Sequence, residues 1–444
     1  MNYEPRIIAF LCTWCSYTGA DTAGIARMKS PANIRAIRVP CSGRVSPELV
    51  MRAFDQGADG VLVLGCHIGE CHYDTGNHRA AKRLPILHAL MQFAGLEAER
   101  FHLDWVSASE GERFSRIATE FTDAVRGLGP VSWRVGPGGW KAAAESLLPP
   151  EEEVPMLALD CAGKTDAIRA KAKELLTNGE VGCVIGYEVG PRGRTRPTFV
   201  YSAEEAGRLV WNPDVSNNLA SYLPIKLKSK GKEAPKKVAV VVKPCDSRAV
   251  NVLLAENQFA RDQVHVIGVT CEGVQDGGGN LQVRCQTCSE RSPVVYDTLV
   301  GEVPADIHAG AITQSDRLES LPPRERMEFW LSEFDRCIRC YACRQACPMC
   351  NCPTCLYERD DSTFVGMGIG LNEKRTFHLG RAYHLAGRCV GCNECERACP
   401  MEIPISLLNQ KLAGEIEKAF GHRAGLTVTP SPIVTILSGE YKEG

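Results

Sequence analysis

The segment RIIAFLCTWC, residues 6–15, reads as a short buried strand, Arg6–Leu11, that runs directly into two cysteines, Cys12 and Cys15. A brief apolar run of this kind suits a strand covered on both faces. Two more follow, Ile34–Val39 (IRAIRV) and Gly60–Leu64 (GVLVL), with a weaker fourth at Phe101–Val106 (FHLDWV). Between the second and third, Ser46-Pro47-Glu48 opens a helix that runs to Gln56 and stops at Gly57, with proline in the first turn. Asn77–Gly95 predicts another helix. Strands alternating with helices specify βαβ units and a parallel sheet. The cysteines fall in register with this scheme: Cys12 and Cys15 after strand one, Cys41 after strand two, Cys66 and Cys71 after strand three. Ligands of open parallel sheets bind beyond the carboxyl ends of the strands. The bland alternative is small apolar residues near a core, and the repeated strand-end placement argues against it.

The whole chain has 444 residues and 22 cysteines, and 11 of these lie between Cys337 and Cys399. This length predicts two to four domains. The cysteine fraction is below that of small disulfide scaffolds, and charged residues at 23 % with plentiful aliphatics leave enough apolar surface for real cores. A formal charge of −2 argues against a nucleic-acid binder. Met1–Pro5 carries no basic stretch ahead of an apolar run, so no secretory signal is expected. No run of apolar residues is long enough for a membrane span. A cytoplasmic chain with this many thiols is expected to use them for metal or redox chemistry.

A Gly/Pro-rich stretch, GLGPVSWRVGPGGW, followed by PPEEEVP, marks a boundary within residues 127–155. A second α/β region follows. Asp166–Asn178 is helical, Val181–Tyr187, Val238–Val242 and Val264–Val269 are strands, and Ser247–Gln258 is a helix. Cys245 and Cys271 again follow strand ends, and Cys285-Gln286-Thr287-Cys288 follows the loop DGGGN. Lys226–Lys237 reads as a solvated connection. A helix begins over Pro322–Trp330, an amphipathic one runs from Pro404 to about His422, and the tail from Leu426 reads as extended, with docking on a partner as one role. The expected fold class is α/β. It comprises an N-terminal open parallel sheet domain (1–145), a central α/β cluster-binding domain (156–320), a C-terminal mainly helical and loop two-cluster ferredoxin-type domain (321–425), and a tail (426–444).

The strongest motif is Cys337-x2-Cys340-x2-Cys343-x3-Cys347-Pro348, repeated as Cys389-x2-Cys392-x2-Cys395-x3-Cys399-Pro400. Three thiolates spaced by two residues wrap one cubane, and the fourth, before proline, reaches the other cluster of a two-cluster ferredoxin. Cys337, Cys340, Cys343 and Cys399 would then hold one 4Fe–4S cluster, and Cys389, Cys392, Cys395 and Cys347 the other. Zinc sites space their ligand pairs by roughly a dozen or more residues, which fits this packing poorly. The resemblance is to bacterial-type dicluster ferredoxins, over about 70 residues. Cys350, Cys352 and Cys355 exceed that pattern. They are a further, fourth 4Fe–4S site with a ligand from elsewhere, or a replacement of Cys347 by Cys350, or spare thiols. Arg336, Arg339, Arg344 and Arg388 lie among these cysteines, either near cluster sulfur or as ordinary surface charge.

The segments KVAVVVKPCDSRAV, IGVTCEG and RCQTCSE resemble the coenzyme F420-reducing hydrogenase beta subunit and its formate dehydrogenase relatives over roughly residues 160–310. That resemblance implies that Cys245, Cys271, Cys285 and Cys288 ligate a 4Fe–4S cluster. It also implies FAD, although the chain has no G-x-G-x-x-G. Arg192, Arg194 and Arg196 offer either an anion site or a solvated loop. The segments AFLCTWCSYTGAD and IRVPCSGRVSPELVMRAFDQGADGVLVLGCHIGECHY resemble the delta subunit of methyl-viologen-reducing hydrogenase, from residue 6 to about 130. This implies one 2Fe–2S cluster on four of Cys12, Cys15, Cys41, Cys66 and Cys71, without saying which is left over. It also implies electron delivery to the flavin subunit of heterodisulfide reductase. His67 and His72 raise a Rieske-like alternative. Cys161 and Cys183 have no assignment.

The expected function is an iron–sulfur electron-transfer subunit. It links a heterodisulfide-reductase-like flavoprotein, with electron bifurcation or confurcation, to a dehydrogenase, hydrogenase or reductase in a heteromeric, cytoplasmic, anaerobic assembly. The sequence carries no G-x-S-x-G, P-loop or H-E-x-x-H for group chemistry. The alternative is a flavin-containing oxidoreductase subunit reducing coenzyme F420 or NAD. A third class, a zinc-stabilised scaffold, is opposed by the ferredoxin spacing.

Overall fold

A computed structural model describes residues 3–131, 133, 153–154, 161–228, 237–304, 313–361 and 365–434. The architecture is mixed α/β with an N-terminal parallel sheet, a central α/β region and a C-terminal helical region bearing cysteines.

The first sheet joins β1 (Ile7–Cys12), β2 (Ile34–Val39), β3 (Gly60–Gly65) and β4 (Phe101–Trp105) in the order β2-β1-β3-β4, every pairing parallel. The period-two alternation of strand side chains sends Ile7, Ala9 and Leu11 to one face and Phe10 to the other. On the first face they meet α1 (Ser16–Ile25) and α4 (Gly111–Leu128) through Ala23, Phe114, Ile117 and Phe121. On the second face lie α2 (Pro47–Asp55) and α3 (Gly76–Phe93). The expected start of α2 is present: Ser46 accepts a hydrogen bond from the Leu49 N–H at 3.4 Å, and Pro47 occupies the first turn.

The second sheet orders β5 (Cys183–Val189), β6 (Thr195–Val200), β7 (Val238–Val242), β8 (Val264–Val269) and β9 (Thr298–Val300) as β6-β5-β7-β8-β9. Only the edge strand β6 is antiparallel. It is a strand the sequence pattern conceals, because Pro197 sits within it; an edge position tolerates the missing donor. Helix α5 (Cys161–Thr177) and helix α6 (Pro244–Ala255) flank the sheet. α6 begins three residues before the expected Ser247, so Cys245 lies in its first turn. α1 and α4 also lie beyond the sequence reading. In α1, Gly19 and Gly24 mask the helical pattern.

Trp133 packs in the first core, while the Val154 carbonyl accepts from the Leu281 N–H at 2.7 Å in the second unit. The crossing between them, with the acidic run, lies outside the described residues, as does most of the lysine-rich stretch. The C-terminal helices α7 (Pro323–Arg336), α8 (Leu371–His384) and α9 (Ser406–Phe420) pack on α2 and α3, extending the first core. The described part of the tail docks on its own chain: the Ile433 carbonyl accepts from Arg83 Nε at 2.8 Å, and Ser431 Oγ donates to Ala386 O at 2.9 Å.

Candidate iron–sulfur centres

All five N-terminal thiols converge at the carboxyl edge of the first sheet. Cys12 Sγ lies 3.5 Å from Cys66 Sγ, and Cys41 Sγ 3.6 Å from Cys71 Sγ. Cys12 also lies in reach of Cys41, and Cys15 in reach of Cys66. The first residue of α3 is a glycine for a steric reason: a Cβ at Gly76 would fall 2.0 Å from Cys41 Sγ. Hydrogen bonds from Cys41 and Cys66 drive the Cys12 thiol toward its anion, and the same contacts push those two donors the other way. The crowded thiols form a cradle that a cationic iron core would bind as thiolates.

The two histidines turn elsewhere. His67 Nε2 pairs with Glu110 Oε2 at 2.6 Å, and His72 stacks on Trp14 with ring centroids 3.7 Å apart. Glu110 is held at about 2, first by the Ser107 N–H and then by His67.

The C-terminal cysteines form two groups. Cys343 lies in electrostatic reach of Cys337, Cys340 and Cys399. Cys395 lies in reach of Cys347 and Cys389, and Cys392 in reach of Cys347. Each group thus holds thiols of one motif together with the fourth cysteine of the other. The backbone repeats as well: Tyr341, after Cys340, has φ of 60° and Asn393, after Cys392, has φ of 53°, each capping a short helix. Holding non-glycine residues there costs of order 1–3 kcal/mol and is the turn that aims the next thiol inward. A cavity of about 510 Å³ opens over Cys347, Cys389, Cys392 and Cys395. Sulfur also has donors beside it: the Arg339 N–H reaches Cys337 Sγ at 3.3 Å, and Asn409 Nδ2 reaches Cys395 Sγ at 3.8 Å. Grouped thiols with N–H donors beside the sulfur are what a 4Fe–4S cluster takes from a protein.

Cys245, Cys271, Cys285 and Cys288 form a third group at the carboxyl end of the second sheet, with Cys271 in reach of both Cys285 and Cys288, and Cys245 in reach of Cys271. Burial pushes Cys271 up to about 12. Beneath Cys245, the Lys243 ammonium is enclosed by Tyr187 Oη at 2.6 Å and Asp246 Oδ2 at 2.9 Å.

Cys350, Cys352 and Cys355 are not brought to one point. Cys350 hydrogen-bonds Cys347, Cys352 is exposed, and Cys355 lies near Tyr357. Cys183 is buried in the second core. The four arginines among the cluster cysteines are occupied: Arg336 with Glu333 at 3.0 Å, Arg344 with Glu358 at 3.1 Å, and Arg388 with Glu256 at 2.7 Å. The Arg339 side chain donates to the Glu373 carbonyl at 2.9 Å. Arg196 pairs with Glu188 at 2.8 Å, while Arg192 and Arg194 remain exposed. Two further arginines that face thiols, Arg284 and Arg381, are ones that the sequence reading missed. Arg284 precedes Cys285 directly, a signal that was available; Arg381 sits mid-helix and offers none.

Residues 7–129 match the family of the methyl-viologen-reducing hydrogenase delta subunit, and residues 333–403 match the 4Fe–4S dicluster domain. The iron–sulfur subunit of the vhc F420-non-reducing hydrogenase of Methanococcus voltae is 46 % identical over 137 residues, which is 31 % of this chain and 95 % of that protein. The chain belongs to the delta-subunit family. The iron–sulfur subunit of the F420-non-reducing hydrogenase of Archaeoglobus profundus is 48 % identical over 132 residues, 30 % of this chain and 96 % of the relative. One subunit of the ferredoxin/F420H2-dependent CoB-CoM heterodisulfide reductase of Methanosarcina acetivorans is 47 % identical over 150 residues, 34 % of this chain but 18 % of that protein. This delta-subunit family member thus carries a dicluster domain that supports 4Fe–4S binding and an electron-transfer role. Among the described residues no helix is long and apolar enough to cross a membrane.

Proposed function

We propose that the chain is an electron wire with one 2Fe–2S cluster and three 4Fe–4S clusters. The 2Fe–2S cluster takes four of Cys12, Cys15, Cys41, Cys66 and Cys71. Two cubanes take the crossed ferredoxin sets, and the third takes Cys245, Cys271, Cys285 and Cys288. The clusters supply one-electron transfer; the chain holds them in fixed order and desolvates them. Domain limits follow the sequence reading, with units at 1–145, 156–320 and 321–425. The observation that carries the proposal is adjacency: Cys392 of one ferredoxin set lies in reach of Cys245 of the central set, and Arg381 in reach of Cys343 and Cys395 of the two ferredoxin sets. Separate binding modules would not need their ligand loops in contact.

The names of the relatives, subunits of hydrogenase and heterodisulfide reductase, support a heteromeric complex. In it the wire joins a heterodisulfide-reductase-like flavoprotein, where bifurcation or confurcation occurs, to a dehydrogenase, hydrogenase or reductase.

Anaerobic purification followed by iron and sulfide analysis tests this. About 14 irons per chain are expected from three cubanes and one two-iron cluster, with about four lost on Cys271→Ser. A colourless, zinc-loaded protein would sink the reading. Flavin released on acid precipitation would replace the plain wire with the flavin-containing oxidoreductase acting on coenzyme F420 or NAD.

A further inference from the structure

Two arginines flank the thiol group Cys347, Cys389, Cys392 and Cys395, one toward each neighbouring group. Arg284 stands in the ligand loop of the central set, next to Cys285. Its Nη1 donates to the Cys392 carbonyl and its Nη2 to the Ser216 carbonyl at 3.1 Å. Its guanidinium lies in electrostatic reach of Cys245, Cys285 and Cys392. Arg381 projects from α8 and is 3 % exposed. Its Nη2 donates to the Cys343 carbonyl at 2.9 Å, and it lies in reach of Cys343 on one side and of Cys347, Cys350 and Cys395 on the other. Among the described residues Arg381 Nε and Nη1 and Arg284 Nε are buried without a hydrogen-bond acceptor.

A buried guanidinium with unmade hydrogen bonds is costly. Burying a charge demands partners, and an orphaned N–H forfeits its desolvation cost. Among the described residues neither arginine has a carboxylate salt-bridge partner. Thiols surround Arg381, and thiols together with the Glu394 carboxylate lie around Arg284. A cluster with four thiolates carries net negative charge, and its sulfurs accept hydrogen bonds; both effects set its potential. Arg381 therefore has its counter-charge in the groups it straddles, and Arg284 shares its charge between such groups and Glu394. Each also holds a carbonyl of one ligand loop while facing thiols of the next, so it fixes the gap as well as the field.

We infer that Arg284 and Arg381 are the positioning residues of the relay, each spanning two clusters and both raising the potential of the cluster they share. The shared site, bound by Cys347, Cys389, Cys392 and Cys395, is then the junction where electrons from either side settle. This inference rests on the proposed wire.

The test is potentiometric EPR on the anaerobically purified full chain, with Arg284→Gln, Arg284→Lys, Arg381→Gln and Arg381→Lys beside the wild type. The signal altered by Cys395→Ser assigns the shared cluster. The expected result is that each Gln variant lowers the reduced-to-oxidised ratio of that cluster at least tenfold at fixed solution potential, which is 59 mV for one electron. The Lys variants stay within about threefold of wild type, because they keep the charge. A Gln variant that loses the shared cluster while its Lys counterpart retains it at the wild-type potential also supports the charge. Loss in both, or Gln variants that titrate as wild type, overturns the inference. A wild-type chain with no cluster on these four cysteines sinks the wire reading itself, whereas a loaded cluster indifferent to both arginines sinks this inference alone.

Discussion

A single methyl group decides whether the N-terminal thiols can meet. Gly76 opens α3 against Cys41 and Cys71, and an added Cβ would lie 2.0 Å from the first sulfur and 3.1 Å from the second. Gly43 is constrained in the same place, because a Cβ added there would fall 2.5 Å from the Gly76 carbonyl oxygen. Gly76→Ala is expected to displace Cys41, abolishing the 2Fe–2S signal and lowering iron by about two atoms per chain while the cubane signals persist. Iron analysis with EPR on the purified variant checks this; full retention of the 2Fe–2S signal would make Cys41 the thiol left over. At Glu48 the residue scale reaches the pH response. Burial alone would raise its pKa, but the His384 hydrogen bond and charge outweigh it and hold Glu48 at about 2. A folded value below the ordinary carboxylate value near 4.5 stabilises the protein above that pH. The contribution is lost as pH falls from there toward 2. Glu48→Gln should therefore flatten the stability–pH curve between these limits, read by thermal unfolding at stepped pH.

At the scale of elements, α2 of the first unit is bolted to α8 of the cysteine-rich unit at both ends. Near its start, Glu48 accepts from Tyr357 at 3.0 Å and pairs with His384 at 2.9 Å. At its end Asp55 meets Arg375 and accepts from Thr376 at 3.0 Å. Asp55 is pushed up and Arg375 pushed down, in each case because burial outweighs the partner. The pair is thus a device for registering two units rather than a source of stability. Arg375→Met alone is expected to destabilise by about 3–5 kcal/mol, leaving Asp55 buried and unpaired, while Asp55→Asn combined with Arg375→Met recovers most of that. Denaturant unfolding measures both, and a double variant no better than the single one would show that Arg375 acts through its packing on Trp133. None of this docking was legible beforehand. Periodicity revealed β1, β3, β7 and β8 because their apolar runs are unbroken, and the x2-x2-x3 spacing marked the dicluster region because ligand geometry is local. It hid β6 behind Pro197 and α1 behind two glycines. Arg381 escaped because its role depends on which loops converge around one helix, information held in tertiary contacts and not in neighbours along the chain.

For the whole molecule, the question is where electrons enter and leave. The cysteine groups run from the central set through the shared ferredoxin set to the set of Cys337, Cys340, Cys343 and Cys399, and that last set is open, with Cys340 exposed and Ile338 56 % exposed beside it. The N-terminal site is open too. Trp14, between Cys12 and Cys15, is 46 % exposed, Ile68 47 % and Tyr73 50 %, and all three border the thiols. Trp14 Nε1 donates to Tyr73 Oη at 3.4 Å, so the rings form one apolar rim with polar edges. Exposed tryptophan and tyrosine are the residue types that dominate binding energy at interfaces. Under the proposed wire, the occupant of this rim is the heterodisulfide-reductase-like flavoprotein. Trp14→Ala with Tyr73→Ala is expected to weaken capture of such a flavoprotein by about 30-fold or more, the equivalent of one hot spot of about 2 kcal/mol. Iron content and the 2Fe–2S signal should stay at the wild-type level. Anaerobic interferometry against the isolated flavoprotein reads the affinity. Unchanged affinity with an intact cluster would move the entry point away from the N-terminal site, leaving the open face at Cys340 as the place where that partner must bind.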